Sequence, residues 1–186
     1  MSKNTMPLHK EAWIEDLAIK IFNEIEALTK DKVGVSRESY GKGETISINY
    51  MIDLAKEFGF YIEKDAAANV YLSLEKSTKN NHILIGSHID SVPQGGNFDG
   101  LAGVIAGFLI LVYLKEKKIK TSLPIKLLVL RGEESAWYGK NCVGSKALFG
   151  LISQEDLNST HRSNGKKLSK AMTESGVKLD QIRKCK

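Results

Sequence analysis

Apolar residues recur at helical spacing from the start of the chain. In EAWIEDLAIKIFNEIEAL, residues 11–28, Trp13, Leu17, Ile21, Ile25 and Leu28 fall near one face of a 3.6-residue period, which predicts an amphipathic helix. The run from Thr45 to Glu57 repeats that period after the Gly-bearing YGKGE, and Gly59 marks its stop. FYIEKDAAANVYLSLE, residues 60–75, then predicts a hairpin rich in Tyr, Ile and Val, its strands separated near Asp65 to Asn69. HILIGSH, residues 82–88, is short and continuously apolar at its start, the pattern of a strand buried on both faces. Residues 99–117 predict a helix opening with Asp99 as candidate N-cap and closing in lysines, both favourable to the macrodipole. LPIKLLVLRGEE, residues 123–134, is a second buried strand. Beyond it the Gly-punctuated YGKNCVGSKALFG and the polar SQEDLNSTHRSNG lead to a short helix near 166–175. No internal repeat or low-complexity block interrupts this order of helix, helix, strands, helix, strand, which indicates an α/β architecture with helices packed on a twisted sheet.

Composition narrows the picture. A chain of 186 residues with 42% hydrophobic content can bury a core of its own and ordinarily makes one domain. The longest apolar run, LAGVIAGFLILVYL at 101–114, is too short for a bilayer span and ends in KEKKIK, which suits a buried helix. The N-terminus lacks a basic start followed by an apolar stretch, so no secretory signal is expected and a cytoplasmic location is the default. Cys142 and Cys185 form no C-x-x-C pair, which fits structural thiols in a reducing compartment. The net charge of +5 gathers at the end: residues 161–186 carry eight Lys or Arg against Glu174 and Asp180, leaving 19 basic and 20 acidic residues in 1–160. A basic tail without interleaved aromatics reads as a solvated segment, and nucleic-acid binding is not expected.

Candidate chemistry lies where the two apolar strands end in residues that a core would reject, SHID after ILIG and EES after LLVLRG. Strand ends of this kind are where α/β sheets place their sites. On an extended segment His88 and Asp90 project to the same side, so the carboxylate can orient the imidazole as partners of metal-binding histidines do. Asp99 returns eleven residues after His88, once VPQGGNF has turned the chain. Of Glu133 and Glu134, one can coordinate a metal while its neighbour takes a proton from activated water. Singly, each has a plainer role: a hydrogen-bonded histidine, a helix cap, a turn, a solvated strand end. Their coincidence on two strands favours a site. A phosphate cradle lacks its glycine pattern and a G-K-[ST] ending, and Ser87, Ser91 and Cys142 sit in no nucleophile elbow.

GSHIDSVPQGGNFDGLAGVIAG followed by LRGEESAWYGKNCVGSKALFG resembles the M20 family of metal-dependent hydrolases, in its amidase branch of N-carbamoyl-L-amino acid hydrolases, ureidopropionases and allantoate amidohydrolases. The quick return of Asp99 in FDGLAGV favours that branch over the aminopeptidases and aminoacylases of the same family. The resemblance extends through KDAAANVYLSLE and SNGKKLSKAMTESGVKLD. It implies a three-layer α/β fold, a twisted sheet with helices on both faces, as in zinc-exopeptidase-like catalytic domains. It further implies two divalent metal ions, zinc foremost, with manganese or cobalt as alternatives. His88 and Asp99 would share one ion, Asp99 bridging, with Glu134 on the second, Glu133 as general base and Asp90 supporting His88. The substrate would be a small ureido or amide compound and the full-length parent a homodimer. A later histidine motif, an inserted lid for dimerisation and a final histidine ligand have no counterpart in 1–186. His9, His82 and His161 show no partner pattern that would supply them. The chain therefore reads as the N-terminal part of the catalytic domain without its lid. Catalysis by these residues alone is not expected, and a non-catalytic binding or assembly module is the rival from another class.

Overall fold

The computed structural model describes residues 11–76 and 81–182. His9 and Cys185 lie outside them. In chain order the elements are α1 (Ala12–Thr29), α2 (Lys42–Glu57), β1 (Tyr61–Lys64), β2 (Val70–Ser73), β3 (Ile83–His88), α3 (Leu101–Glu116), β4 (Ile125–Leu130), α4 (Val143–Leu148), α5 (Gln154–Asn158) and α6 (Leu168–Glu174). The α/β class read from the residue pattern is the one adopted, and no helix among the described residues is long and apolar enough to cross a membrane.

The four strands form one sheet in the order β1-β2-β4-β3. β1 with β2 and β2 with β4 are antiparallel, whereas β3 runs parallel to β4 with Ile83 opposite Ile125 and His88 opposite Leu130. A parallel pair needs a crossover, and α3 supplies it. Because β3 and β4 end side by side, the residues after His88 and after Leu130 emerge at the same edge of the sheet. This register is what brings SHID and GEES together.

Val70, Leu72, Leu127 and Val129 face a core shared with Ile21 and Ile25 of α1, Ile48, Met51 and Ala55 of α2, and Val104, Phe108 and Leu111 of α3. The three long helices thus cover one face of the sheet. On the opposite face Leu148 and Phe149, at the end of α4, line a groove with Tyr71, Leu84 and Lys126. Cover there is partial. The expectation that β3 is buried on both faces fails: β3 is the sheet's edge strand, and Ile83 and Leu84 are each 43% exposed.

Two further details depart from the pattern. Gly100, not Asp99, occupies the N-cap of α3, and no side chain caps that helix, so the Asp99 carboxylate is left free. The basic tail is not simply solvated. Leu168, Ala171, Met172, Val177 and Ile182 pack with Tyr138, Val143 and Ala147 into a second buried cluster. The spacing of 168, 171 and 172 is that of an apolar helix face, and Lys170 is exposed on its other side.

Candidate metal centre

The site is built at the ends of β3 and β4. His88, the last residue of β3, has a side chain only 13% exposed. Its Nδ1 lies 3.1 Å from the Asp90 carbonyl oxygen and 3.3 Å from Asp90 Oδ1. Nε2 is therefore turned outward, 3.7 Å from Asp99 Oδ1 and 3.9 Å from Glu133 Oε2. Donor atoms of His88, Glu133 and Glu134 all lie within 4.8 Å of one another. Donors about 2.0–2.2 Å from one ion stand no more than about 4.4 Å apart, so this group needs a small inward adjustment of its side chains to hold one, and the imidazole and carboxylate donors suit zinc. Asp99 approaches this group through His88, with its own side chain 71% exposed.

Asp90 does more than orient the imidazole. It is fully buried; Oδ1 accepts from the Glu133 N–H at 3.0 Å, and Oδ2 accepts from the Glu134 N–H at 3.0 Å and the Ser39 hydroxyl at 2.6 Å. One carboxylate thus ties the end of β3 to the turn after β4. Burial works against its charge, yet His88, Ser39 and the two amides outweigh it and hold the carboxyl below its ordinary value. For His88 burial opposes protonation, but Asp90 and Glu133 outweigh burial and raise it. Glu134 is raised by burial and by the negative charges of Asp90 and Asp99, a crowding of carboxylates that a bound cation would relieve.

Gly100 makes room for the imidazole. It adopts φ 65° and ψ −50°, and a Cβ there would stand 2.6 Å from His88 Nε2. Behind the site, the turn entering Glu133 is held by Glu44 of α2, which accepts from Arg131 Nε at 2.6 Å, the Gly132 N–H at 2.7 Å and the Tyr40 N–H at 2.8 Å. Asn69 fixes the same turn, accepting from the Arg131 N–H at 3.0 Å and donating to the Gly144 carbonyl at 3.1 Å. Cys142 closes it from the far side, its N–H on the Glu133 carbonyl at 2.9 Å and its thiol 3.4 Å from Glu133 Oε1. Trp137 donates from Nε1 to the Ser91 carbonyl at 2.7 Å, joining the turn to the loop after β3.

The sequence pattern located His88, Asp90, Asp99, Glu133 and Glu134, and all five converge here. It missed Arg37, Ser39 and Glu44. Their signal was faint: a polar RESYGKGE between two amphipathic helices, which reads as a connection. His161 stays apart from the centre, buried between Trp137 and Tyr138 with Nε2 3.1 Å from Glu38 Oε1.

An N-carbamoyl-L-amino acid amidohydrolase of Geobacillus stearothermophilus is 31% identical over 150 residues, covering 80% of this chain and 36% of its own length. An allantoate amidohydrolase of Bacillus subtilis is 32% identical over 120 residues, covering 64% of this chain and 29% of its own. The chain thus spans well under half the length of such relatives. A crystal structure of a hydantoinase/carbamoylase family amidase from Burkholderia ambifaria matches the fold with a TM-score of 0.78 at 23% identity, over 87% of this chain and 40% of that one. These relatives carry the amidohydrolase names that the sequence motifs suggested, while the family model that matches, over residues 69–174, is that of peptidase family M28 where the motifs resembled M20. Since that match takes in both strand ends and more than half of the residues, this chain belongs to peptidase family M28.

Proposed function

We propose that this chain carries the metal-binding and proton-transferring residues of a metal-dependent amidohydrolase acting on non-peptide C–N bonds of a small ureido substrate, an N-carbamoyl-L-amino acid or allantoate. The observation that carries the reading is the gathering of His88, Glu133 and Glu134 within 4.8 Å at the ends of two parallel strands, an imidazole beside two carboxylates of which one can hold an ion while the other takes a proton. The names of the relatives point to the substrate class.

In this reading His88, Asp99 and Glu134 would hold two divalent ions, zinc foremost. Such ions polarise a carbonyl and acidify water when bound. Asp90 keeps Nε2 of His88 directed at the ion by occupying Nδ1. Glu133, whose side chain is 40% exposed, receives the proton of the attacking water and returns it to the departing nitrogen. The working enzyme is a homodimer in the cytoplasm.

The family description favours a second reading, cleavage of a peptide bond. A substrate panel separates the two. The protein as expressed from its gene is loaded with zinc and assayed for ammonia release from N-carbamoyl-L-amino acids and allantoate, and for cleavage of dipeptides. The ureido reading expects ammonia release that falls at least ~100-fold in Glu133→Gln with zinc content unchanged, the scale of a lost general base. Dipeptide cleavage without ammonia release would establish the peptidase reading instead.

A further inference from the structure

Arg37 lies between α1 and α2 and is fully buried, an uncommon place for a guanidinium. Its hydrogen bonds converge on the loop joining His88 to Asp99. Nε donates to the Ile89 carbonyl at 2.7 Å, where the loop begins. Nη1 donates to Asn97 Oδ1 at 3.0 Å, and Nη2 to the carbonyls of Asn97 at 3.2 Å and Asp99 at 3.4 Å, where it ends. The Arg37 backbone bonds the loop near its start, donating to the Ser91 hydroxyl at 3.0 Å and accepting the Ser91 N–H at 3.0 Å. Two residues earlier, Val35 and Gly95 exchange a pair of backbone bonds at 2.8 and 3.0 Å.

We propose that Arg37 is a positioning residue for the metal centre, its guanidinium gathering both ends of the 89–99 loop and thereby setting the approach of Asp99 to His88. Without it nothing in the loop's own pattern, SVPQGGNF, dictates where Asp99 falls. A planar fork can satisfy carbonyls on two chain segments at once; an ammonium of equal charge cannot. The charges of Asp90, Asp99 and Glu134 favour the guanidinium but only partly offset the burial that works against it. The assignment rests on the reading of His88, Asp99 and Glu134 as metal ligands, and concerns geometry rather than charge.

Arg37→Lys keeps the charge and removes the fork. Calorimetric titration of the 186-residue chain with zinc should show affinity falling about 10- to 100-fold, the range for residues that hold metal ligands in place. Hydrogen exchange on the metal-free chain should show faster amides at Ser91 and Gly95, which are bonded to the Arg37 and Val35 carbonyls, with those of β4 unchanged, which a general loss of stability would not give. His88→Ala is the control. If His88→Ala abolishes zinc binding while Arg37→Lys binds within twofold of the parent chain, Arg37 has no positioning role. If His88→Ala binds as the parent does, or the parent binds no zinc at millimolar concentration, the metal reading falls and this inference with it. Should Arg37→Lys not fold, Asn97→Ala removes one partner of the fork. It should lower affinity about fivefold, roughly one hydrogen bond, and unchanged affinity there counts against the proposal.

Discussion

At the scale of the residue, Gly100 and Asp90 decide whether the imidazole can serve. Gly100 sits at φ 65° and ψ −50°, a conformation that costs other residues roughly 1–3 kcal/mol, with the His88 ring where a Cβ would be. Gly100→Ala is therefore expected to lower unfolding free energy by at least that amount and to weaken zinc binding, measured by urea unfolding and by calorimetry. Unchanged affinity would mean that the ring has another place to go. Residue types at the site were legible because polar groups after an apolar strand have no packing reason to be there. Asp90 was legible only in part. Alternation carried two residues past the end of β3 put it on a side with His88, but its bonds to the Glu133 and Glu134 amides depend on β4 lying alongside.

At the scale of the element, the pairing of α2 with the turn after β4 gives the chain a pH-sensitive joint. Burial raises Glu44 from 4.5 to about 7, against the pull of Arg131. An acid raised in the folded state binds its proton more tightly there, so its contribution to stability is largest below about 4.5 and is lost as pH rises through about 7. Urea midpoints of the parent chain should thus decline between pH 5 and pH 8. Glu44→Gln should be less stable throughout, with Arg131 left short of a partner, yet show a shallower decline; an equal slope would show that Glu44 does not titrate there. A second element rests on one cap. Ser153 and Asp156 form a reciprocal capping box at the start of α5, and Ser153→Ala should cost about 1 kcal/mol in the same unfolding experiment. The S-x-x-D spacing at 153–156 was available in the sequence and signals this helix, which the polar composition around it concealed.

At the scale of the whole molecule, the sheet has one edge and one face less protected than the rest. β3 has its outer edge free among the described residues, and Ile83 and Leu84 on it and Phe149 beside it are exposed, the last at 62%. Unpaired apolar edges recruit other strands. The 186-residue chain should accordingly self-associate with rising concentration in sedimentation velocity, and Leu84→Lys should suppress this; a monomer at all concentrations would refute the expectation. Hydrophobic period by itself determined the long helices and the strands, and strand-end polarity singled out His88, Glu133 and Glu134 as candidates, because periodicity and burial act over a few neighbouring residues. Only the tertiary structure decided that β3 stands at the edge, that Gly100 rather than Asp99 caps α3, and that a buried Arg37 from a polar connection spans the loop. Those outcomes depend on which segments pair across 40 to 90 residues of chain, as Arg37 with Asn97 and Glu44 with Arg131 do, and local pattern carries no record of partners so distant.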